Sequence, residues 1–303
     1  MTFPPLGLFG AVMGLVGLGL AARAAAPLFP GLFRAPAYFS EPWIAAGTLL
    51  YVGLGLLYFL KVVTGRAKED FVAPERMGAL GLVPVGMMLI AAGLAPYQPD
   101  LADLLWWKAV VLYALGFAWG LVRLLQLGLA TPRLTPAWIV LLVGGIVSPL
   151  GGVALGHEVA AKWVFLAGVL GGLLLVVPLA KRPRLPEPGR PAWFILLAPP
   201  ALVAANGNAL FHHPAFVAAL WIAVAVLLAL LYRARSLLRV PYSETIWAIT
   251  FPLDAFAFAA ARQALAEQSH FWRGVAGFAL VLAILAVVFC LYRTLRRSDA
   301  RVQ

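Results

Sequence analysis

The segment that decides the fold is SETIWAITFPLDAFAFAAARQAL, residues 243–265. As a helix it is long enough to cross the ~30 Å hydrocarbon core of a bilayer. Near its centre it carries Pro252 and, two residues later, Asp254. An interior proline bends or breaks a helix, and a central acid costs roughly 2.5–3.5 kcal/mol on membrane insertion scales. Both residues therefore predict a helix enclosed by other protein segments, and not one that faces lipid.

The rest of the chain has the composition of a membrane protein. Of its 303 residues, 63% are apolar and only 12% are charged, and the mean hydropathy is +0.93. Soluble domains carry about a quarter charged residues. A spanning chain must satisfy its backbone hydrogen bonds internally, and the Leu-, Ala- and Gly-rich runs lack the alternation of a barrel strand. The composition predicts an all-α integral membrane protein.

Ten apolar runs, separated by charged or proline-rich breaks, predict ten transmembrane spans in a single transmembrane domain, residues 1–303. In chain order, spans 1 to 10 cover approximately residues 5–26, 43–63, 77–95, 101–125, 136–155, 159–179, 191–210, 215–233, 243–265 and 271–293.

Proline recurs inside every second span. Spans 3, 5, 7 and 9 carry Pro84, Pro149, Pro199 with Pro200, and Pro252, whereas spans 2, 4, 8 and 10 carry none inside and span 6 has Pro178 only at its end. Proline is generally commoner in membrane helices than in soluble ones, which is the simpler explanation. The strict alternation favours a repeat: five quasi-symmetric helical hairpins, with kinked odd spans around a central pore and straighter even spans outside.

The basic residues predict the orientation. Loops 2–3, 4–5, 6–7 and 8–9 and the C-terminus hold 17 of the 23 lysines and arginines. These are Lys61, Arg66, Lys68, Arg76, Arg123, Arg133, Lys181, Arg182, Arg184, Arg190, Arg233, Arg235, Arg239, Arg293, Arg296, Arg297 and Arg301. The remainder are Arg23, Arg34, Lys108, Lys162, Arg262 and Arg273. The positive-inside rule places both termini of this multi-pass protein in the cytoplasm, in the cell (plasma or inner) membrane.

Several functional classes lack support in the sequence. The net charge of +11 is spread between apolar runs, so it indicates topology and not nucleic-acid binding. The single cysteine, Cys290, lies inside a span, and the four histidines fall at span ends or in loops. No metal or haem site and no phosphate-binding loop is expected, and hence no cofactor.

Four short motifs carry a family resemblance over the whole chain. They are LFGAVMGL at residues 8–15, TPAW at 135–138, LAPP at 197–200 and WAITFPL at 247–253. Together they resemble the tellurite-resistance/dicarboxylate transporter (TDT) family, which includes TehA-like bacterial proteins and the plant slow anion channels. The resemblance implies a homotrimer of ten-helix protomers, each with its own pore. It also implies that a phenylalanine on span 9, here Phe251, closes that pore at mid-membrane.

Asp254 departs from a simple anion pore, because an ionised acid beside the gate would repel anions. It stands three residues after Phe251 and so shares its helix face. It could be protonated, paired with Lys108 or Arg262, or a proton-coupling site; a structural buried pair is the plainer alternative. Arg262, eleven residues after Phe251, returns to nearly the same face and is a candidate for the charge at the outer mouth, unless it snorkels to the headgroups.

The remaining pore lining is expected to be small and uncharged. Besides Asp254, which is itself a candidate pore-lining residue, the candidates are Gly10, Gly14, Pro84, Gly86, Ser148, Pro149, Pro199, Asn206 and Pro252. A pore of this kind binds anions weakly and releases them quickly.

The leading hypothesis is a gated anion channel or transporter for small anions such as chloride or nitrate. The alternative within transport is a proton-coupled carrier of tellurite or a C4-dicarboxylate, with Asp254 as the proton site. A membrane-embedded enzyme is the alternative from another class, and no cluster of polar residues inside the spans supports it.

Overall fold

The structure is a computed structural model that describes residues 3–31, 36–128, 134–180, 185 and 187–302. The described residues form thirteen α-helices and six 3-10 helices, and no strand occurs among them. Five of the basic residues used for orientation lie outside the described ranges. They are Arg34, Arg133, Lys181, Arg182 and Arg184.

The even spans are single helices. They are Pro36–Val63, Pro99–Leu127, Glu158–Ala180, Ala215–Leu238 and His270–Val302. Span 2 begins earlier than the sequence predicts, at Pro36, so that Pro42 lies inside this helix. The expectation that span 2 contains no internal proline is therefore wrong for the helix as it stands. Pro42 falls in its second turn, well short of the membrane centre.

The odd spans are composite. Span 1 is Leu6–Leu8, Phe9–Ala25 and Ala26–Leu28; span 3 is Pro74–Met77, Gly78–Gly81 and Leu82–Leu94; span 5 is Trp138–Val143, Gly144–Val147 and Pro149–Gly152; span 7 is Glu187–Leu197 and Ala198–Phe211; span 9 is Glu244–Ile249 and Thr250–Glu267. In spans 3, 5, 7 and 9 a 3-10 stretch precedes an α-helical second part. A short helix, Lys68–Val72, lies in the connection before span 3.

The predicted kinks are these junctions between 3-10 and α-helix. Pro84, Pro149, Pro199 and Pro252 all stand in the first turn of the α-helical part of their span. The first four N–H groups of a helix have no intrahelical partner, so proline sacrifices little there and its fixed φ suits the start of a helix. The prolines therefore mark where spans 3, 5, 7 and 9 start their second part.

The inner spans form a closed ring. Span 1 packs against spans 3 and 9, span 5 packs against spans 3 and 7, and span 7 packs against span 9. Each odd span also packs against the even span that follows it, which gives five hairpins. The predicted architecture, with five hairpins and the odd spans inside, is confirmed.

Burial separates the inner ring from the outer one. In the most apolar stretch of span 1, 83% of the residues are buried, against 17% in span 2 and 22% in span 4. Eight of the described helices are long and apolar enough to cross a membrane by length and composition. Span 5 is shorter, Trp138–Gly152, and span 9 is more polar, with Asp254 and Gln263 buried in it. Because neighbouring spans enclose these two, neither needs to suit lipid.

Outer helices donate hydrogen bonds to backbone carbonyls at the breaks. From span 2, the Tyr51 hydroxyl donates to the carbonyl of Val83 at 3.1 Å. From span 4, the Trp106 indole donates to Ser148 at 3.0 Å and the Tyr113 hydroxyl to Leu142 at 2.9 Å. An unpaired carbonyl in hydrocarbon would cost several kcal/mol, so these donors make the breaks possible.

A glycine brings span 6 into backbone contact with span 5, the other span of the same hairpin. A Cβ added to Gly171 would lie 2.1 Å from the carbonyl oxygen of Leu142, the same oxygen that accepts the Tyr113 hydroxyl. A Cβ on the next residue, Gly172, would lie 3.7 Å from Val143, which is ordinary contact. Only the first of these two glycines is required by the packing.

We expect Gly171→Ala to lower the stability of the protein by about 1–3 kcal/mol, because the added methyl group must push span 6 away from span 5. Gly172→Ala is the matched control and should be neutral or slightly stabilising, since alanine favours a helix more than glycine does. Thermal unfolding of both variants in detergent measures the difference. Equal melting temperatures would contradict this packing.

Candidate functional site

A cavity of about 620 Å³ lies inside the ring of odd spans. We call it the vestibule. Each inner span contributes an apolar side chain to its deeper wall. These are Met13, Val85, Val147, Leu202 and Phe251, from spans 1, 3, 5, 7 and 9. A wall of this kind offers a permeating ion no strong ligand, so an ion that enters can also leave.

The mouth of the vestibule carries charges of both signs. Lys61 Nζ lies 2.6 Å from an Asp70 carboxylate oxygen, and Arg76 makes a 2.6 Å ion pair with Glu69. Glu75 and Glu244 also line this end. These residues lie at the C-terminal end of span 2, in the short helix Lys68–Val72 and at the N-terminal ends of spans 3 and 9, so the vestibule opens on that side of the membrane.

Phe251 forms the floor of the vestibule. Its ring lines the vestibule and also a second, much smaller void of about 10 Å³ on the far side, and it is 8% exposed. Leu202 of span 7 is the other residue that lines both spaces. A Cβ on Gly17 of span 1 would lie 3.0 Å from the ring. The ring thus packs directly against the backbone of Gly17. It lies between a wide space and one barely large enough for a water molecule.

Asp254 lies in this small void. It is 1% exposed, and neither carboxyl oxygen has a hydrogen-bond partner among the residues that the structure describes. The proposed ion pairs with Lys108 or Arg262 are wrong, because both of those side chains are exposed and no described salt bridge includes Asp254. Arg262 stands eight residues on in the same helix, about 12 Å further along its axis.

Four of the candidate pore-lining residues reach one of the two spaces. Gly10, Pro199 and Pro252 line the vestibule, and Asp254 lines the void. Pro199 and Pro252 belong to the first turns of the α-helical parts of their spans. The residues before these α-helical parts, Leu197 and Ile249, are themselves helical, so each part continues directly from its 3-10 stretch at the vestibule floor.

The small candidates on spans 1 and 3 face their neighbours. A Cβ on Gly14 would lie 2.1 Å from the hydroxyl oxygen of Thr250, so Gly14 permits the close contact of spans 1 and 9. A Cβ on Gly86 would lie 3.4 Å from Tyr51 of span 2. Pro84 is not among the residues that line either space.

The polar candidates at the break of span 5 satisfy backbone groups. The Ser148 hydroxyl donates to the carbonyl of Ala161 in span 6 at 3.2 Å. The Asn206 amide donates to the carbonyl of Ile146 at 2.7 Å. Pro149 lines neither space, whereas its neighbour Leu150 lines the void. These residues hold the broken span together and leave the lining to apolar side chains.

Arg262 is exposed and lines neither space. Arg23 of span 1 is a more enclosed cation, and like Arg262 it lies beyond Phe251 on the side of the void. It follows the void-lining Leu20 by three residues. Its guanidinium is 2.9 Å from Glu41 and donates to the Gly93 carbonyl at 3.1 Å. The sequence placed Arg23 outside the main basic loops but gave no sign of this pairing.

Within the described ranges, no three His, Cys, Asp or Glu side chains come together as metal ligands. The five odd spans enclose a wide, mostly apolar cavity and a much smaller void, with Phe251 lining both and the buried Asp254 lining the smaller one.

Comparison with known proteins agrees with this geometry. Residues 3–295 match the family of voltage-dependent anion channels, SLAC1. The chain is also similar to the S-type anion channel SLAH3 of Arabidopsis thaliana, with 22% identity over 310 residues. That alignment covers 96% of this chain and 46% of the plant protein, so the chain spans about half the length of this relative. Because the family match covers nearly the whole chain, it shows that the chain belongs to the SLAC1 family of voltage-dependent anion channels. This agrees with the resemblance carried by the four sequence motifs.

Proposed function

We propose that this multi-pass membrane protein is a channel for small anions such as chloride or nitrate, and that the ring of Phe251 is its gate. The observation that carries the proposal is the position of this ring between the vestibule and the void. The family is one of anion channels, and its relative named above is an S-type anion channel. We propose no enzymatic step.

The mechanism follows from the two spaces. In the closed state the ring fills the route and keeps it dry, which stops ions both sterically and by excluding water. When the ring swings aside, the vestibule and the void join into one passage. The apolar wall offers the anion no strong ligand and so lets it leave again.

We further propose that both termini lie in the cytoplasm of the plasma or inner membrane, so that the vestibule opens to the cytoplasm. The excess of lysine and arginine in the loops beside the vestibule mouth supports this orientation.

The family resemblance implies a homotrimer with one pore in each protomer, and we propose this assembly. The even spans offer broad apolar faces for lipid or for neighbouring protomers, with Leu49, Leu115 and Leu173 more than half exposed. A native mass in mild detergent that does not correspond to three protomers would contradict the assembly.

A second candidate function is a proton-coupled carrier of tellurite or a C4-dicarboxylate. The buried and unpartnered Asp254 favours it, because such acids serve as proton sites in transporters. Uptake that strictly requires a proton gradient would support the carrier. Currents far above carrier turnover would support the channel.

Removing the gate ring should open the route. We expect Phe251→Ala to raise chloride flux into liposomes by at least about tenfold, because a steric and dewetting barrier of 1.4 kcal/mol already accounts for that factor. Phe251→Leu should give a smaller increase. Phe278→Ala, which removes a 54% exposed ring from span 10, is the matched control. Equal fluxes in all variants would refute the gate.

Thiol labelling tests the position of the ring and the orientation together. In a Cys290→Ala background, Ala248→Cys in the vestibule should react with a membrane-impermeant reagent added on the cytoplasmic side, and not with reagent added outside. Ala255→Cys in the void should resist reagent from both sides, because Phe251 shields it from the vestibule, and should become reactive when Phe251→Ala is added. Reaction of Ala248→Cys from outside would reverse the proposed orientation.

A further inference from the structure

Asp254 is a buried acid for which the described part of the fold offers no structural reason. Its side chain is 1% exposed, and both carboxyl oxygens lack partners among the described residues. Buried polar groups in proteins are nearly always hydrogen-bonded, so an unpartnered acid calls for a functional account. It follows Phe251 by three residues on span 9, directly behind the proposed gate.

The void beside Asp254 is otherwise apolar. The void that it lines is bounded by Leu20 of span 1, Leu89 of span 3, Leu150 of span 5 and Leu202 of span 7, and its own span adds Phe258. None of the residues around this void carries a positive charge. An ionised carboxylate here would lack both a counter-ion and a donor, which is the costliest state for a buried acid.

Gly17 brings the backbone of span 1 close to the same group. A Cβ on Gly17 would lie 2.8 Å from a carboxyl oxygen of Asp254 and 3.0 Å from the Phe251 ring. The carboxyl group of Asp254 and the ring of Phe251 thus pack against the same glycine. A movement of the ring away from Gly17 would bring the acid into contact with whatever enters from the vestibule.

We propose that Asp254 is a neutral carboxylic acid whose O–H donates a hydrogen bond to the anion as it passes the gate, and that this residue sets the preference among anions. The inference rests on the proposed function, because it requires anion passage. No bond is made or broken and the proton stays on Asp254, so anion passage is not coupled to proton movement.

Selectivity follows from acceptor strength. An otherwise apolar route favours weakly hydrated anions such as nitrate, because they lose less on leaving water. A hydrogen-bond donor within the route compensates the stronger acceptor, chloride, more than it does nitrate. Asp254 therefore shifts the preference of the route toward chloride.

The test measures the nitrate-to-chloride permeability ratio in liposomes containing the full chain with Phe251→Ala, so that the gate does not limit flux. Asp254→Ala should raise this ratio about threefold. A hydrogen bond to a charged group corresponds to a factor of roughly ten to one hundred in an equilibrium constant, and only the difference between the two anions changes the ratio. Asp254→Asn keeps a donor of similar size and should stay near the parent ratio. Thermal unfolding verifies that each variant is folded.

Two results would overturn the inference while the parent still conducts. One is an unchanged ratio in Asp254→Ala. The other is an equal rise in total anion flux in Asp254→Ala and Asp254→Asn, which would mean that Asp254 acts as a repelling negative charge. If the Phe251→Ala parent carries no anion flux at all, the proposed function fails first.

Infrared spectroscopy gives a readout that does not depend on transport. The spectrum of the wild-type protein at neutral pH should contain the C=O stretch of a protonated carboxyl group that is missing in Asp254→Asn. A carboxylate band in its place would overturn the inference even if the channel conducts.

Discussion

The arrangement of the ten spans depends on one constraint, which is that every carbonyl freed at a break of an inner helix must find a donor inside the protein. Lipid offers none. The breaks therefore occur where an outer helix or an inner neighbour presents a hydroxyl, indole or amide group, as Tyr113, Trp106 and Asn206 do around span 5. The even spans, each a single helix, therefore do more than surround the odd spans. They supply donors for the carbonyl groups that the breaks in the odd spans leave unpaired.

The breaks in turn shape the passage. Because the prolines stand where the α-helical parts begin, the first turns of spans 7 and 9 face the vestibule floor with Pro199 and Pro252. The same construction places Phe251 in the first turn of its helix, next to Pro252. The gate residue is therefore fixed to the point where span 9 changes from 3-10 to α-helix, and a local change at that junction would move the ring.

The sequence predicted the architecture better than the lining. Alternating prolines predicted the inner ring, and Pro252 with Asp254 predicted an enclosed span 9. Gly14, Gly86, Ser148 and Asn206 are also small or polar residues in odd spans, yet they serve packing or cap carbonyls.

The reason is geometric. A 3-10 helix turns about 120° per residue and an α-helix about 100°, so the six residues Glu244–Ile249 rotate the following side chains by roughly 120° relative to a continuous α-helix. Which face points inward after such a stretch depends on its length, and the sequence does not reveal that length. Lining residues such as Val85 and Leu202 are of the same apolar types that face lipid elsewhere in the chain. Nothing in the sequence therefore distinguishes a lining position from a lipid-facing one.

The unequal spaces on the two sides of Phe251 also determine where the membrane voltage acts. The vestibule extends from its charged mouth to the ring, so ions in the adjoining solution approach the ring closely from that side. The potential difference, worth about 2.3 kcal/mol per elementary charge at 100 mV, then falls mostly across the closed part of the route, which runs from the ring through the void to the opposite side of the membrane. An anion that arrives through the vestibule has done little electrical work before it meets the ring, and it does nearly all of that work beyond the ring.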